Sequence, residues 1–310
     1  MAVFNILHIT KYQYNFAVKE SSNEIRLFPH NFENQDVLHY DLMISHYPEV
    51  TYSNDYHGNK VGHFNILEAH DEMIIQSKML VRINHSLKIP EIDDTKVSAI
   101  DLHNDIYLLR LSYPEKIKKQ AEIEAILKEI HFEEKSIIDI AYACNQYVFN
   151  NFEYTKGITN VETTVDEILG HKKGVCQDFA HVLLQLLRTA GIPSRYVSGY
   201  ICPNESGMRG EGATHAWVEI YTPKQGWLGI DPTNNIWTMD NHVKLSVGMN
   251  FKDCSPAKGS FKGLAQQTLS VSVQIGYEDG RHIQEINDVA LQKNSVVFEL
   301  QSNHTEQQQQ

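Results

Sequence analysis

A chain of 310 residues, 42% hydrophobic and 21% charged, has the length for two domains and the apolar content to give each a core. With 27 Lys+Arg against 39 Asp+Glu the formal charge is −12, and no basic run offsets it, which argues against nucleic acid as a partner. No apolar stretch approaches the roughly 20 residues of a membrane span and the N-terminus lacks a basic segment leading into a long apolar one, so no membrane partner is expected and a cytoplasmic location is. Four cysteines, none in a C-x-x-C pair, fit a reducing compartment better than a disulfide framework or a structural zinc site.

From Val3 to about Leu111 the hydrophobic period is two. Ile6, His8, Thr10, Tyr12 and Tyr14 alternate with their neighbours, and residues 37–44 and 73–75 read as further strands. This predicts a β-rich first domain over residues 1–110, with turns at Phe28-Pro29-His30-Asn31 and at residues 54–59. His8, His30, His39, His57, His63 and His70 have no compact ligand spacing and read as ordinary strand or surface residues.

The period changes to 3.6 after Tyr113-Pro114, where a proline at a first helical turn predicts a helix carrying Ile117, Ala121, Ala125, Ile126 and Ile130, with Ile123 off the stripe. Ser136 is placed to cap a second helix whose inward stripe includes Ile137, Ile140, Ala141, Cys144 and Val148, making Cys144 a small core residue. Thr164-x-x-Glu167 is a capping-box pattern for a short helix ended by Gly170. A core over residues 111–300 and a disordered polar tail over 301–310 complete the expected organisation.

Within that core, Phe179, Val182, Leu183, Leu186, Leu187 and Ala190 fall at i, i+3, i+4, i+7, i+8 and i+11, the stripe of a buried helix. Cys176 continues the stripe one turn back, at the helix start, where unpaired N–H groups and the macrodipole favour a thiolate. The dipole supplies only about 0.3–1 kcal/mol, too little to make a nucleophile by itself, so a histidine partner is required. Asp178 and His181 are expected to be structural, the first bonding first-turn N–H groups and the second packing. His171, Cys176 and His181 are five residues apart and do not share a helical face, so no metal and no cofactor are expected.

The partner comes from a predicted β-hairpin, residues 214–221 and 226–231 about a turn at Pro223-Lys224-Gln225. Paired positions on a hairpin have a constant sum, and His215 with Asp231 sums to 446, a midpoint at 223 inside the turn, which sets the two opposite or nearly so, both on one face with Trp217. An aspartate that accepts an imidazole N–H fixes the tautomer, and the other ring nitrogen then addresses a thiol. Residues 194–201 read as a preceding strand, 203–212 as a polar loop that borders a cleft, and 269–275 and 295–300 as late strands.

The stretches Gly-Val-Cys-Gln-Asp-Phe-Ala-His at 174–181, Gly-Ile-Pro-Ser-Arg-Tyr-Val-Ser-Gly-Tyr at 191–200, Thr-His-Ala-Trp-Val-Glu at 214–219 and Asp-Pro-Thr-Asn at 231–234 resemble the core of bacterial transglutaminase-like cysteine proteases. His8-x-Thr10-x-Tyr12-x-Tyr14, Arg26-Leu27-x-Pro29 and Asp55-x-x-Gly58-Asn59 resemble that family's N-terminal β region, and 250–263 its stretch after the triad. The resemblance implies an α+β protein: an N-terminal β-rich domain, then a papain-like, transglutaminase-like core with the nucleophile helix packed on an antiparallel sheet. It implies Cys176 as nucleophile, His215 as general base and acid, Asp231 as orienter, a thioester acyl-enzyme, and a peptide or protein substrate. Gln177 and Trp217 are candidates for holding the oxyanion or lining the site, and Cys254 is expected to be packing. Hydrolysis of peptide or isopeptide amides is the expected reaction; acyl transfer to an amine uses the same residues, and a non-catalytic peptide-binding module keeps the same fold.

Overall fold

The first strand, β1 (Ala2–Ile25), runs through the middle of a large sheet, with β2 (Gln35–Ile44), β3 (Thr51–Asn54), β4 (Lys60–Ile66) and β5 (His70–Ile83) following it in the chain. The structure, a computed structural model, describes residues 2–29, 31–32, 34–84, 93–202, 208–210, 214–279, 284–291 and 307–308. The alternation read from the sequence is real: Phe4, Ile6, His8, Thr10, Tyr12 and Tyr14 all point inward. Of the histidines there, His8 is fully enclosed, bonding Tyr200 Oη at 2.8 Å and Thr10 Oγ1 at 3.1 Å, and burial lowers its pKa to about 3.

Helices follow: α1 (Ile106–Leu111), α2 (Gln120–Glu129), α3 (Ile137–Asn151), a two-residue β6 (Glu153–Tyr154), α4 (Val165–His171), β7 (Lys173–Gly174) and α5 (Cys176–Thr189). Two expectations need correction here. Helix α1 interrupts the supposed β region, because the Asp105 side chain accepts the Leu108 N–H as an N-cap and Leu108 and Leu111 bury one turn apart. Helix α2 starts at Gln120 rather than at Pro114, because the N–H groups of Lys118 and Lys119 bond Asp166 and that of Glu115 bonds the Gln185 side chain, holding the segment out of helical pairing. With that start Ile123, Ile126 and Leu127 form the buried stripe and Ala121 and Ala125 face out. Ser136 caps α3 and the Thr164–Glu167 capping box heads α4, as their spacing predicts. Helix α4 runs past Gly170 to His171, and Lys172 closes it in the left-handed region at φ 52°.

A second, antiparallel sheet is built from β8 (Ser194–Ile201), β9 (Thr214–Thr222), β10 (Gly226–Asp231), β11 (Ile236–Trp237) and β12 (His242–Gly248), in the order β11-β10-β9-β8-β12. Helix α5 packs on β9 and β8. Phe179, Val182, Leu183, Leu186 and Leu187 are fully buried and share one core with Ala216, Val218, Ile220, Leu228 and Ile230. Each side chain of that stripe contributes about 1.5–3 kcal/mol of burial, which anchors the α5 N-terminus against the sheet. Cys144 and Cys254 lie in the same core, and burial pushes the Cys144 thiol up to about 12.

After the short α6 (Phe251–Cys254) the chain returns to the first sheet as β13 (Ala257–Lys262) and β14 (Gln267–Tyr277), both antiparallel to β1, followed by β15 (Gln284–Leu291) on β14. Strand β1 thus lies between β5 and β14 over its first half and between β4 and β13 over its second. The expected strand at 295–300 and most of the 301–310 tail lie outside the described residues; β16 (Gln307–Gln308) pairs with Lys258 and Gly259.

The two parts are joined by Asn59, which is fully buried: its Nδ2 donates to Val247 O at 2.7 Å and its Oδ1 accepts Val247 N–H at 2.8 Å. Asp55 holds the same side chain from its own turn, at 2.9 Å. Asn59→Ala strands both Val247 backbone groups, and a loss of about 2–3 kcal/mol is expected in denaturant unfolding monitored by circular dichroism.

Candidate active site

Cys176 is the first residue of α5 and remains partly exposed while packing against the helical core. The turn before it is locked by Asp178, whose Oδ2 accepts the Val175 N–H at 2.7 Å and the Thr159 hydroxyl at 2.6 Å. Burial raises the Asp178 pKa, and those two bonds oppose the shift without cancelling it. The carboxylate lies so close over Gly174 that a Cβ there would stand 2.4 Å from Oδ2, which explains the glycine ahead of the cysteine. His181 serves packing as expected: its Nε2 accepts the Phe251 N–H at 3.2 Å and its ring lies on Tyr196. Gln177 is buried beside Cys176. Among the described residues no group of three or more His, Cys, Asp or Glu side chains is placed to hold a metal ion.

His215 is the second residue of β9 and Asp231 ends β10, and both side chains are fully enclosed. The hairpin register is Leu228↔Ile220 and Ile230↔Val218, a constant sum of 448 rather than the 446 read from the turn. The turn takes all of Pro223, Lys224 and Gln225, with Thr222 paired to Gly226, and this moves the midpoint to 224. Asp231 is therefore the diagonal neighbour of His215, nearly opposite it. An even sum keeps both on one face, and His215 Nε2 bonds Asp231 Oδ2 at 2.9 Å.

Nε2 being taken by aspartate leaves Nδ1, which is buried and has no hydrogen-bond partner among the described residues, while Cys176 is near enough for its charge to act on the ring. Burial works against a charged His215, but the Asp231 carboxylate and then Cys176 outweigh it and raise its pKa to about 10. Burial likewise opposes the Asp231 anion, and His215 overcomes it, holding the carboxyl far below the usual carboxylate range.

Further groups hold Asp231: the Thr233 N–H reaches Oδ1 at 2.8 Å and Asn234 Nδ2 reaches Oδ2 at 2.8 Å. Asn234 in turn bonds the backbone of Arg209, and Asn235 accepts from the buried Asn145 of α3 at 3.0 Å. Trp217 stacks on His215 with ring centroids 6.3 Å apart and planes 24° apart, so it is a wall of the imidazole. Gly199 sits under that indole, where a Cβ would fall 2.6 Å from Cη2. Gly210 approaches the other nitrogen: at φ +79° its Cβ position is 2.7 Å from His215 Nδ1. The polar loop does border the site at residues 208–210; 203–207 and 211–213 lie outside the described residues. His242, which no motif marked, stands 3.5 Å from Asp231 Oδ2 through Nε2.

Residues 124–232 match the Transglutaminase-like superfamily core, and residues 4–82 match the Bacterial transglutaminase-like N-terminal region. The chain is 30% identical over 278 residues to protein ML0607 of Mycobacterium leprae, a span that covers 87% of this chain and 97% of that one. It belongs to the transglutaminase-like superfamily. Over 117 residues, 36% of its length, this transglutaminase-like chain is 31% identical to a protein-glutamine gamma-glutamyltransferase of Pseudomonas aeruginosa, of which the match covers 17%. Its fold is shared with a candidate cysteine protease from Cytophaga hutchinsonii, at a TM-score of 0.70 and 20% identity over 99% of this chain and 98% of that one. Among the described residues no helix is long and apolar enough to cross a membrane.

A histidine whose folded pKa of about 10 exceeds its ordinary 6.5 stabilises the fold fully below the lower value, and that stabilisation is lost as pH rises through the higher one. Asp231, shifted downward, acts in the opposite sense, and its contribution is lost only as pH falls below the ordinary carboxylate range. Melting temperatures taken between pH 6 and pH 10 are expected to fall steeply in the parent and distinctly less in His215→Gln.

Proposed function

We propose that this chain is a cysteine hydrolase that cleaves peptide or isopeptide amides through a thioester, with Cys176, His215 and Asp231 as its triad. The observation that carries the reading is the imidazole between two groups, bonded to Asp231 through Nε2 and turned to Cys176 on its remaining side. Asp231 holds His215 as imidazolium, which pairs with the Cys176 thiolate. Sulfur attacks the amide carbonyl, the C–N bond breaks, and the departing amine takes its proton from His215. Water then attacks the thioester, His215 accepts a proton from it, and the C–S bond breaks to release the acid and restore the thiolate.

The oxyanion is received by the Cys176 backbone N–H, which has no intrahelical acceptor at the first helical position, and by Gln177 beside it. A hydrolytic reading without calcium fits a chain that has no D-x-[DN]-x-[DN]-G loop. A cytoplasmic location fits Cys144, Cys176, Cys202 and Cys254, none of which forms a disulfide. Acyl transfer to an amine is the second reading, favoured by the likeness to the Pseudomonas aeruginosa gamma-glutamyltransferase over 117 residues. The two differ only in which nucleophile reaches the thioester.

Cys176→Ala is expected to abolish turnover of any amide the parent cleaves, and retained turnover overturns the reading. A labelled primary amine supplied with a glutamine peptide separates the reactions: release of acid and ammonia without label marks hydrolysis, and label in the peptide marks transfer. Gln177→Ala is expected to lower kcat by about 10²-fold with KM little changed, in line with the loss of one oxyanion donor.

A further inference from the structure

His242 opens β12 and touches both groups that hold the His215 ring. Its Nε2 lies 3.5 Å from Asp231 Oδ2, and its ring meets Trp217 edge-on, with centroids 5.3 Å apart and planes at 84°. The tautomer follows from the neighbours. Nδ1 accepts the Met239 N–H at 3.1 Å, which leaves the hydrogen on Nε2, aimed at the carboxylate. A proton on Nδ1 instead would serve Asn241 Oδ1 at 3.1 Å, but it would strand the Met239 N–H and turn a lone pair on Asp231. Burial lowers the pKa of His242, and the Asp231 carboxylate only partly opposes this, so the ring stays neutral and acts as a dipole.

The titratable and charged groups around it are Asp231 on β10, His215 on β9 and, across a cavity of about 220 Å³ that His242 lines, Arg195, Glu219 and Lys244. Those three pair among themselves, Arg195 with Glu219 at 2.7 Å and Lys244 with the other oxygen of Glu219. Nε2 of His242 is buried and makes no hydrogen bond among the described residues, and the Asp231 carboxylate at 3.5 Å is the charge it faces. The cavity also gives a loosened ring somewhere to go, since Trp217 and His242 both form its wall.

We propose that His242 is a positioning residue of the triad: it backs the Asp231 carboxylate and the Trp217 indole together, and so fixes the plane in which His215 addresses Cys176. The inference rests on the hydrolase reading above. Its test reads the thiol directly, as the rate of Cys176 alkylation by iodoacetamide against pH in the full-length protein, with buried Cys144 as internal reference. His242→Phe removes the donor and is expected to move the alkaline limb of that profile down by about one pH unit and to lower kcat on an amide probe about tenfold with KM unchanged. His242→Gln, whose amide nitrogen reaches the Nε2 position, restores both, and His242→Asn, which is too short, does not. If His242→Phe fails to fold, the Gln and Asn pair carries the comparison. Profiles of the Asn and Phe variants that superimpose on the parent's, or a folded Gln variant that restores nothing, overturn the role of His242. A parent profile unmoved by His215→Ala overturns the triad itself, which separates the two failures.

Discussion

A carboxylate with no exposed surface is the constraint around which this protein is arranged. Taking an ion of that size out of water costs several kcal/mol even after relaxation, and the cost is met only where charge and hydrogen bonds surround the group. Asp231 meets it with a backbone N–H from Thr233, an amide from Asn234 and the imidazole of His215. Each donor fixes another piece of structure. Asn234 ties residue 209 to the site, the adjacent Asn235 ties the turn to α3, and His215 is left with one nitrogen that makes no hydrogen bond among the described residues.

Much of this was legible in the chain because it is local. The period of β1, the stripe of α5, the Ser136 cap and the Thr164–Glu167 box depend on residues within a few positions of one another, and the structure reproduces them. The shared face of His215 and Asp231 was legible too, because parity survives a register change of two. The register itself was not, since it depends on how many residues the turn consumes, and Thr222 pairing with Gly226 is a choice among nearly equal loops. The α2 start was hidden because its determinants, Asp166 and Gln185, lie far along the chain. His242 was hidden for the same reason: a single histidine before a strand carries no spacing that points to Asp231.

Beyond His215 and Asp231 the same sheet face holds a second set of charges. Arg195 and Lys244 converge on Glu219, and Arg195 also lies over the Trp227 ring at 4.0 Å. Burial works against the Glu219 anion, yet the two cations keep its pKa down at about 2. The face that carries His215 and Trp217 therefore holds the charged groups, whereas the opposite face is apolar and receives α5. That division lets one sheet serve as helix platform on one side and imidazole cradle on the other.

The return of the chain to β1 has a consequence for biogenesis. Strand β1 leaves the ribosome long before β14, and its pairing with β14 matches Phe4 to Tyr277 and Tyr14 to Gln267. Until those late residues are made, one edge of this 24-residue strand is open over its first half. Contacts of such sequence separation form late and slowly, and an unpaired hydrophobic edge invites pairing with other chains. The nascent first sheet therefore waits for residues up to Tyr277 to be synthesised, and the N-terminal portion alone is not the unit that folds.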